Sequence, residues 1–265
     1  MRSKPLIRWA GSKRKLLPML TANAPSSYKR YVEPFCGSAS LFFELPDSPA
    51  LLSDINVDLV NALNTIKNDP TIRSQLVKIP ATKEEYYRIR AIEPESISKV
   101  DRAIRFLYLN RYCFNGVYRT NQKGQFNVPM GTRTGEFPSE AVFDEARKRL
   151  ANAEISVADY KTTLTKIGDG DFVYIDPPYS KSGRFTGEYG LGSFDSSELP
   201  EFFDNLAELD RRGAKFLFSY RACEETRELL SEDYQVEVIP VKRHVSGFKE
   251  SWNDSKEILV KNYGQ

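Results

Sequence analysis

Cysteine and histidine are scarce in this chain of 265 residues. Three cysteines stand at 36, 113 and 223 without CxxC spacing, and the single histidine is His244. That supply argues against structural zinc and against a disulfide framework, and no metal is expected. Long apolar runs are missing too, and nothing approaches the roughly 18 to 20 residues that a bilayer span needs. The opening Met1-Arg2-Ser3-Lys4-Pro5 has no apolar stretch followed by a small-residue cleavage site, so a secretory signal is unsupported and the cytoplasm is the default location. What is present is ordinary for a soluble globular protein: 40% hydrophobic and 28% charged residues, with a mean hydropathy of −0.48. The length suits one large domain, or one domain carrying a substantial insertion.

Net charge is only +2, but its distribution is uneven. Residues 1–30 hold eight basic side chains and no acidic one, and residues 110–135 hold four (Arg111, Arg119, Lys123, Arg133), again without an acid. The other 209 residues carry a net charge of −10. An acidic body with two basic segments fits a polyanion partner, because clustered Lys and Arg neutralise phosphates while the remainder stays soluble. Two solvated faces would give the same pattern.

Periodicity predicts an α/β chain. Residues 30–35 read as a short strand, a tight turn follows at 36–40, and the apolar Leu41-Phe42-Phe43-Glu44-Leu45 reads as a buried helix. A second strand ends at Asp54, and helical spacing runs from Val57 to Ile66. A mostly helical stretch follows over 70–112, with Val100, Ala103, Ile104, Leu107 and Tyr108 on one face, then a Gly-, Asn- and Pro-rich loop or hairpin over 113–138. Strands at 154–158, 172–175, 215–218, 236–239 and 257–260 alternate with helices near 198–211 and 223–231. The expected architecture is a Rossmann-like, doubly wound, mixed sheet. It is split into 1–60 and 140–265 by an inserted, largely helical segment, 61–139.

In such a sheet ligands bind beyond the carboxyl ends of the strands, and two ends carry unusual residues. After the first strand, Gly37 and its small neighbours let the backbone approach a ligand, and Asp54 at the end of the next strand is a candidate acceptor for ribose hydroxyls. The full GxGxxG fingerprint is absent, so a nucleoside without a pyrophosphate fits better than NAD. After the buried strand 172–175 comes Asp176-Pro177-Pro178-Tyr179. The double proline removes two donors and holds the chain extended, which makes the Asp176 carboxylate and the Pro177 carbonyl rigid acceptors. Their natural target is a planar amino group, and Tyr179 can stack on the ring that bears it.

These segments, with Ile7-Arg8-Trp9-Ala10-Gly11-Ser12-Lys13, Phe106-Leu107-Tyr108-Leu109-Asn110-Arg111-Tyr112 and Phe126-Asn127-Val128-Pro129, resemble the Dam-type DNA adenine-N6 methyltransferases over nearly the whole chain. The resemblance implies a class I methyltransferase fold and S-adenosylmethionine held by Trp9, Lys13, Phe35, Gly37, Asp54 and Asp176, with Asp159 and Tyr160 at its adenine. It implies that 61–139 is a target-recognition segment in which Phe114, Asn115, Arg119, Asn121 and Pro129 meet duplex DNA. Arg119 would read a guanine, as in a GATC-like site, and the reacting adenine would leave the duplex for Asp176, Pro177, Pro178 and Tyr179. Ala39 stands where the family has its second motif glycine, and Tyr220 follows Ser219 where many relatives have Asn. Phe185, Thr186 and Phe194 survive in similar order. Arg243, His244 and Ser246, followed by Lys256-Glu257, resemble a final hairpin that touches the displaced strand. RNA adenine methylation and a DNA-binding module without catalysis are the rival readings. Cytosine C5 chemistry is disfavoured because none of the cysteines follows a proline or lies near Asp176.

Overall fold

The strands are apolar on both sides, which requires cover on both faces of the sheet. In β1 (Arg30–Glu33), Tyr31 and Val32 are both buried, and in β4 (Asp171–Ile175) every residue is. The computed structural model describes residues 6–132, 134–178, 196–222, 224–241 and 255–264. The other strands are β2 (Ala50–Asp54), β3 (Ala153–Val157), β5 (Lys215–Arg221), β6 (Gln235–Val241) and β7 (Ser255–Lys261). They form one sheet of order β3-β2-β1-β4-β5-β7-β6, in which β7 alone runs antiparallel to its neighbours. This is the expected doubly wound, mixed α/β sheet. The chain moves outward from β1 to β2 and β3, then crosses back to β4, so a topological switch point lies between β1 and β4.

Helices cover both faces. On one side α1 (Leu17–Asn23), α2 (Val57–Asn68), α3 (Ile72–Leu76), α4 (Lys83–Arg90), α5 (Lys99–Tyr112) and α6 (Glu140–Ala151) share an apolar cluster with Tyr31, Leu52, Phe172 and Leu217. On the other, α7 (Tyr160–Leu164) and α8 (Leu199–Arg211) pack on Val32, Val173, Ile175 and Phe216. The last helix is α9 (Glu224–Leu229). Leu199, Phe202, Phe203, Leu206 and Leu209 repeat at three and four residues, and α8 buries that stripe. Asn56, Thr82 and Ser98 cap α2, α4 and α5 with their side chains, so each helix begins where a polar residue satisfies an orphan N–H. None of the helices in the described residues is long and apolar enough to cross a membrane.

Two expectations change. Leu41 to Leu45 is a run of turns with bonds from Phe43 N to the Ala39 carbonyl and from Leu45 N to the Leu41 carbonyl, not a helix. Left-handed Ala39 on one side and Pro46 on the other leave too few residues to propagate one. Val100 is exposed at the start of α5, whose buried face is centred on Ala103, Phe106, Leu107 and Tyr108. Helix α2 runs unbroken from Val57 to Asn68, and Leu63, Ile72, Tyr86 and Tyr108 join the same cluster as Leu20 and Phe42.

Candidate active site

Beyond Glu33 the chain turns through Pro34-Phe35-Cys36-Gly37-Ser38-Ala39. Gly37 and Ala39 both lie in the left-handed region, at φ +47 and +51. For Gly37 the reason is also space, since a Cβ there would stand 2.7 Å from Cδ1 of Trp9. Ala39 holds the same kind of backbone with a side chain, at a strain of about 1–2 kcal/mol, so the second glycine of the family pattern is replaced without loss of the turn. The turn is tied to the end of β2. Gly37 N donates to Asp54 Oδ2 at 3.0 Å, and Asn56 N to Oδ1 at 2.9 Å. Burial raises the Asp54 carboxyl above its usual range, while these backbone donors pull it back.

The end of β4 is organised by strand register. Ile175 pairs with Phe218 of β5, which places Asp176 next to Ser219. Asp176 Oδ1 accepts from Ser219 Oγ at 3.0 Å and meets Lys13 Nζ at 2.9 Å, and Glu257 of β7 approaches the same ammonium at 3.8 Å. Burial raises the Asp176 carboxyl, and Lys13 and Ser219 oppose the shift. Glu33, which accepts from Tyr31 Oη at 2.9 Å, is also raised by burial, well above the carboxylate range.

Lys13 arrives on a segment pinned by one side chain. Asn110 of α5 accepts from Arg8 N at 2.8 Å and donates to the Arg8 carbonyl at 2.6 Å, as a neighbouring strand would. Arg111, only 2% exposed, donates to the Leu6 carbonyl, and burial lowers its pKa to about 10. It therefore serves the interior and is not part of a phosphate-facing run. Lys29 and Arg30 likewise pair with Asp169 and Asp171 at the amino ends of the strands, opposite the site. The basic segments in the sequence thus overstate the positive surface near the switch point.

Trp9, Lys13, Phe35, Gly37, Asp54, Asp159, Tyr160 and Asp176 line one pocket, together with Pro177 and Pro178. Its volume is about 1040 Å³, including space at the open mouth. Phe35 and Tyr160 stack on each other at 5.1 Å. Asp159 also caps α7, accepting from Lys161 N at 2.8 Å. Besides Glu33, which burial favours in its neutral form, the ionisable side chains on the wall are Asp54, Asp159, Asp176 and Glu198 against Lys13, an arrangement that suits a ligand with positive charge. Glu33, Tyr174 and the hydroxyl triangle of Ser12, Ser38 and Ser40 (2.9, 2.9 and 3.3 Å) also face this end but were not among the expected ligands. Tyr174 could have been read from its place two residues before Asp176. Ser219 required the β4–β5 register.

The expected DNA-contacting residues lie elsewhere, on a hairpin. Bridges pair Cys113 with Met130 and Thr120 with Phe126. Asn121 organises the tip, its Oδ1 accepting from Lys123 N and Gln125 N while its Nδ2 donates to Gln125 Oε1. Arg119 is exposed, with Nε donating to Asn127 Oδ1 at 3.0 Å. Phe114 is 50% exposed, Asn115 adopts φ +53, and the Pro129 carbonyl accepts from Phe114 N. Tyr118 joins the hairpin to the pocket wall, stacking on Trp9 at 5.6 Å and donating to Asp58 at 3.3 Å.

Tyr179, Phe185, Thr186, Phe194, Arg243, His244 and Ser246 lie outside the described residues. Glu257, expected near a DNA-touching hairpin, is buried in β7 beside Lys13, and Tyr220 is buried against Phe218. Among the described residues, no three His, Cys, Asp or Glu side chains are grouped to hold a metal ion.

The family model for D12 class N6 adenine-specific DNA methyltransferases matches residues 9–246. The chain is 32% identical to the type II methyltransferase M1.LlaDCHI of Lactococcus lactis subsp. cremoris, covering 98% of this chain and 96% of that one. It is 30% identical to the type II methyltransferase M.MjaIII of Methanocaldococcus jannaschii, covering 99% and 100%. The DNA adenine methylase of Escherichia coli K12 is 32% identical over 92% of this chain and 90% of its own.

Proposed function

The chain belongs to the D12 class of N6 adenine-specific DNA methyltransferases, and from that premise we propose that Asp176 and the Pro177 carbonyl receive the amino group of an adenine turned out of duplex DNA. The observation that supports this is the half-buried Asp176 carboxylate at the open end of β4, held by Lys13 and Ser219 and followed by two prolines. The pocket beside it fits S-adenosylmethionine. Asp54, fixed by two backbone donors, would hold the ribose hydroxyls, Phe35, Asp159 and Tyr160 the adenine, and the acidic wall the cationic remainder. Trp9, Lys13 and Gly37 complete the enclosure. S-adenosylmethionine supplies the activated methyl group.

The residues of the chain act on the other reactant. The amino nitrogen of adenine is a poor nucleophile because its lone pair is delocalised into the ring. Acceptors at Asp176 and Pro177 hold both amino hydrogens, which favours a pyramidal nitrogen and frees the lone pair. Holding the two reactants in line for attack can contribute up to roughly 7 to 11 kcal/mol. Extrusion of the base costs a few kcal/mol, and stacking on Tyr179 would offset part of it. No covalent enzyme intermediate is required.

Residues 61–139 form the target-recognition segment in this reading. Arg119 reads a guanine of a GATC-like site, because a guanidinium fork can donate twice to guanine O6 and N7. Phe114, Asn115, Asn121 and Pro129 shape the surface around it. One chain carries both the pocket and the hairpin, so a monomer suffices, working in the cytoplasm. The test is methylation by purified protein with S-adenosylmethionine, offered duplex DNA and structured RNA in competition. Transfer to duplex DNA supports the reading, whereas preferential transfer to RNA, or no transfer, rejects it.

A further inference from the structure

We propose that Ser219 is a positioning residue for the methyl transfer, fixing Oδ1 of Asp176 so that Oδ2 is left for the amino group, and that Tyr174 in turn fixes Ser219. This rests on the reading of Asp176 given above. The geometry is directional. Ser219 has one hydroxyl proton, and its donation to Asp176 Oδ1 at 3.0 Å uses it. The 3.1 Å contact between Ser219 Oγ and Tyr174 Oη must then be donated by the phenol. Tyr174 is suited to that role, since burial and the nearby Asp176 raise its pKa and keep it protonated.

The relay is built by the sheet itself. Tyr174 lies on β4 two residues before Asp176, which follows the end of the strand, and the pairs Tyr174–Leu217 and Ile175–Phe218 bring Ser219 level with Asp176. Ser219 is fully buried and Tyr174 is 3% exposed, so solvent does not replace either hydroxyl. Lys13 also contacts Oδ1. With a cation and a hydroxyl on the same oxygen, the carboxylate is held against rotation and its two oxygens become unequal. A carboxylate left to rotate would present the amino group with a broader range of acceptor positions, and loss of alignment lowers turnover more than binding.

The experiment is single-turnover methylation of duplex DNA by Ser219→Ala, Ser219→Cys and Tyr174→Phe, with affinities for DNA and cofactor measured alongside. Ser219→Ala is expected to lower kcat about 10- to 100-fold, the size of one hydrogen bond to a charged group, with affinities changed less than about twofold. Its acid limb should move to higher pH, because the carboxylate loses a donor while Lys13, Glu257, Glu33 and Tyr174 still face it. Ser219→Cys keeps the volume but offers a weak donor, so it should share the loss. Tyr174→Phe should show a smaller loss, and the double variant should be no worse than Ser219→Ala. Wild-type kcat and acid limb in Ser219→Ala would overturn the proposal. So would full recovery in Ser219→Cys, or independent, additive losses from the two sites. If Ser219→Ala does not fold, the Cys and Phe variants decide. Asp176→Ala separates the two levels: its inactivity beside a normal Ser219→Ala rejects only the relay, whereas an active Asp176→Ala rejects the assignment of Asp176.

Discussion

The pocket at the switch point and the hairpin over 113–131 fix their polar groups over different distances along the chain. In the pocket, Asp54 is held by Gly37, 17 residues away, and Asp176 by Ser219, 43 residues away, and by Lys13 from near the N-terminus. In the hairpin, Arg119 is oriented by Asn127, eight residues away, and Asn121 by Gln125, four away. The pocket therefore exists only when the sheet has formed in register. The hairpin sets the geometry of its tip locally and is tied to the rest through Tyr118 on Trp9, through Tyr86 and Arg90 donating to the Val128 carbonyl, and through Gln125 donating to Glu93. Chemistry and cofactor affinity should depend on the first region, and sequence preference on the second.

The largest effect expected from breaking the pocket is that of Asp176→Ala. Single-turnover methylation should fall by about two orders of magnitude or more, as for a lost interaction made at the reacting atoms, while calorimetry shows a much smaller change in cofactor affinity. A loss explained entirely by weaker cofactor binding would move Asp176 from the chemistry to the cofactor site. Asp54→Ala comes next and should act in the opposite sense, weakening cofactor binding by about 1.5–3 kcal/mol with turnover at saturation largely kept. The same carboxylate gives a pH signature. Burial raises its pKa, so acid should begin to weaken cofactor binding at a higher pH than an exposed aspartate would allow, as protonation removes the acceptor. Unchanged affinity in the variant would remove Asp54 from the site.

Arg119→Ala sharpens the other half of the comparison. A base-reading arginine contributes about 1–3 kcal/mol of discrimination at one position, whereas a phosphate contact weakens all sequences alike and lowers the salt slope by about one. Binding of cognate and random duplexes across a salt series distinguishes these outcomes. A uniform loss would leave the GATC-like preference without its main support. The smallest effect is assigned to Ala39→Gly. Relief of about 1–2 kcal/mol of left-handed strain is offset by the greater freedom of the unfolded chain, about 0.4–1 kcal/mol, and by the loss of a buried methyl worth about 0.8 kcal/mol. Denaturant unfolding should show a change below about 1 kcal/mol. A larger loss would mean that the Ala39 methyl packs more tightly than the turn alone requires.

The division also explains what could be read from the sequence. Strands at 172–175 and 215–218 and the helix at 198–211 were legible because their apolar spacing is dictated by burial on one or two faces. The pocket residues were legible where small residues or prolines mark a strand end, as at Gly37 and Asp176. Ser219 was not, because its place beside Asp176 follows from parallel register, which leaves no local mark. Arg111 was misread for a related reason: charge in a sequence does not reveal a guanidinium turned inward to hold the Leu6 carbonyl. Helices α6 and α7 went unnoticed, although Phe143, Ala146 and Leu150 stand at helical spacing on the buried face of α6; α7 is only five residues long.

The central claim is that the acceptors at the end of β4 serve the amino group of adenine, in a sequence context selected by the hairpin. Its most direct test is to incubate the purified protein with S-adenosylmethionine and a mixed-sequence duplex library and to map every modified base. The account predicts methyl groups at N6 of adenine within one short motif containing a guanine whose replacement abolishes preference, and broader adenine modification by Arg119→Ala. Methylation of another base, or of adenines without regard to their neighbours, would contradict it.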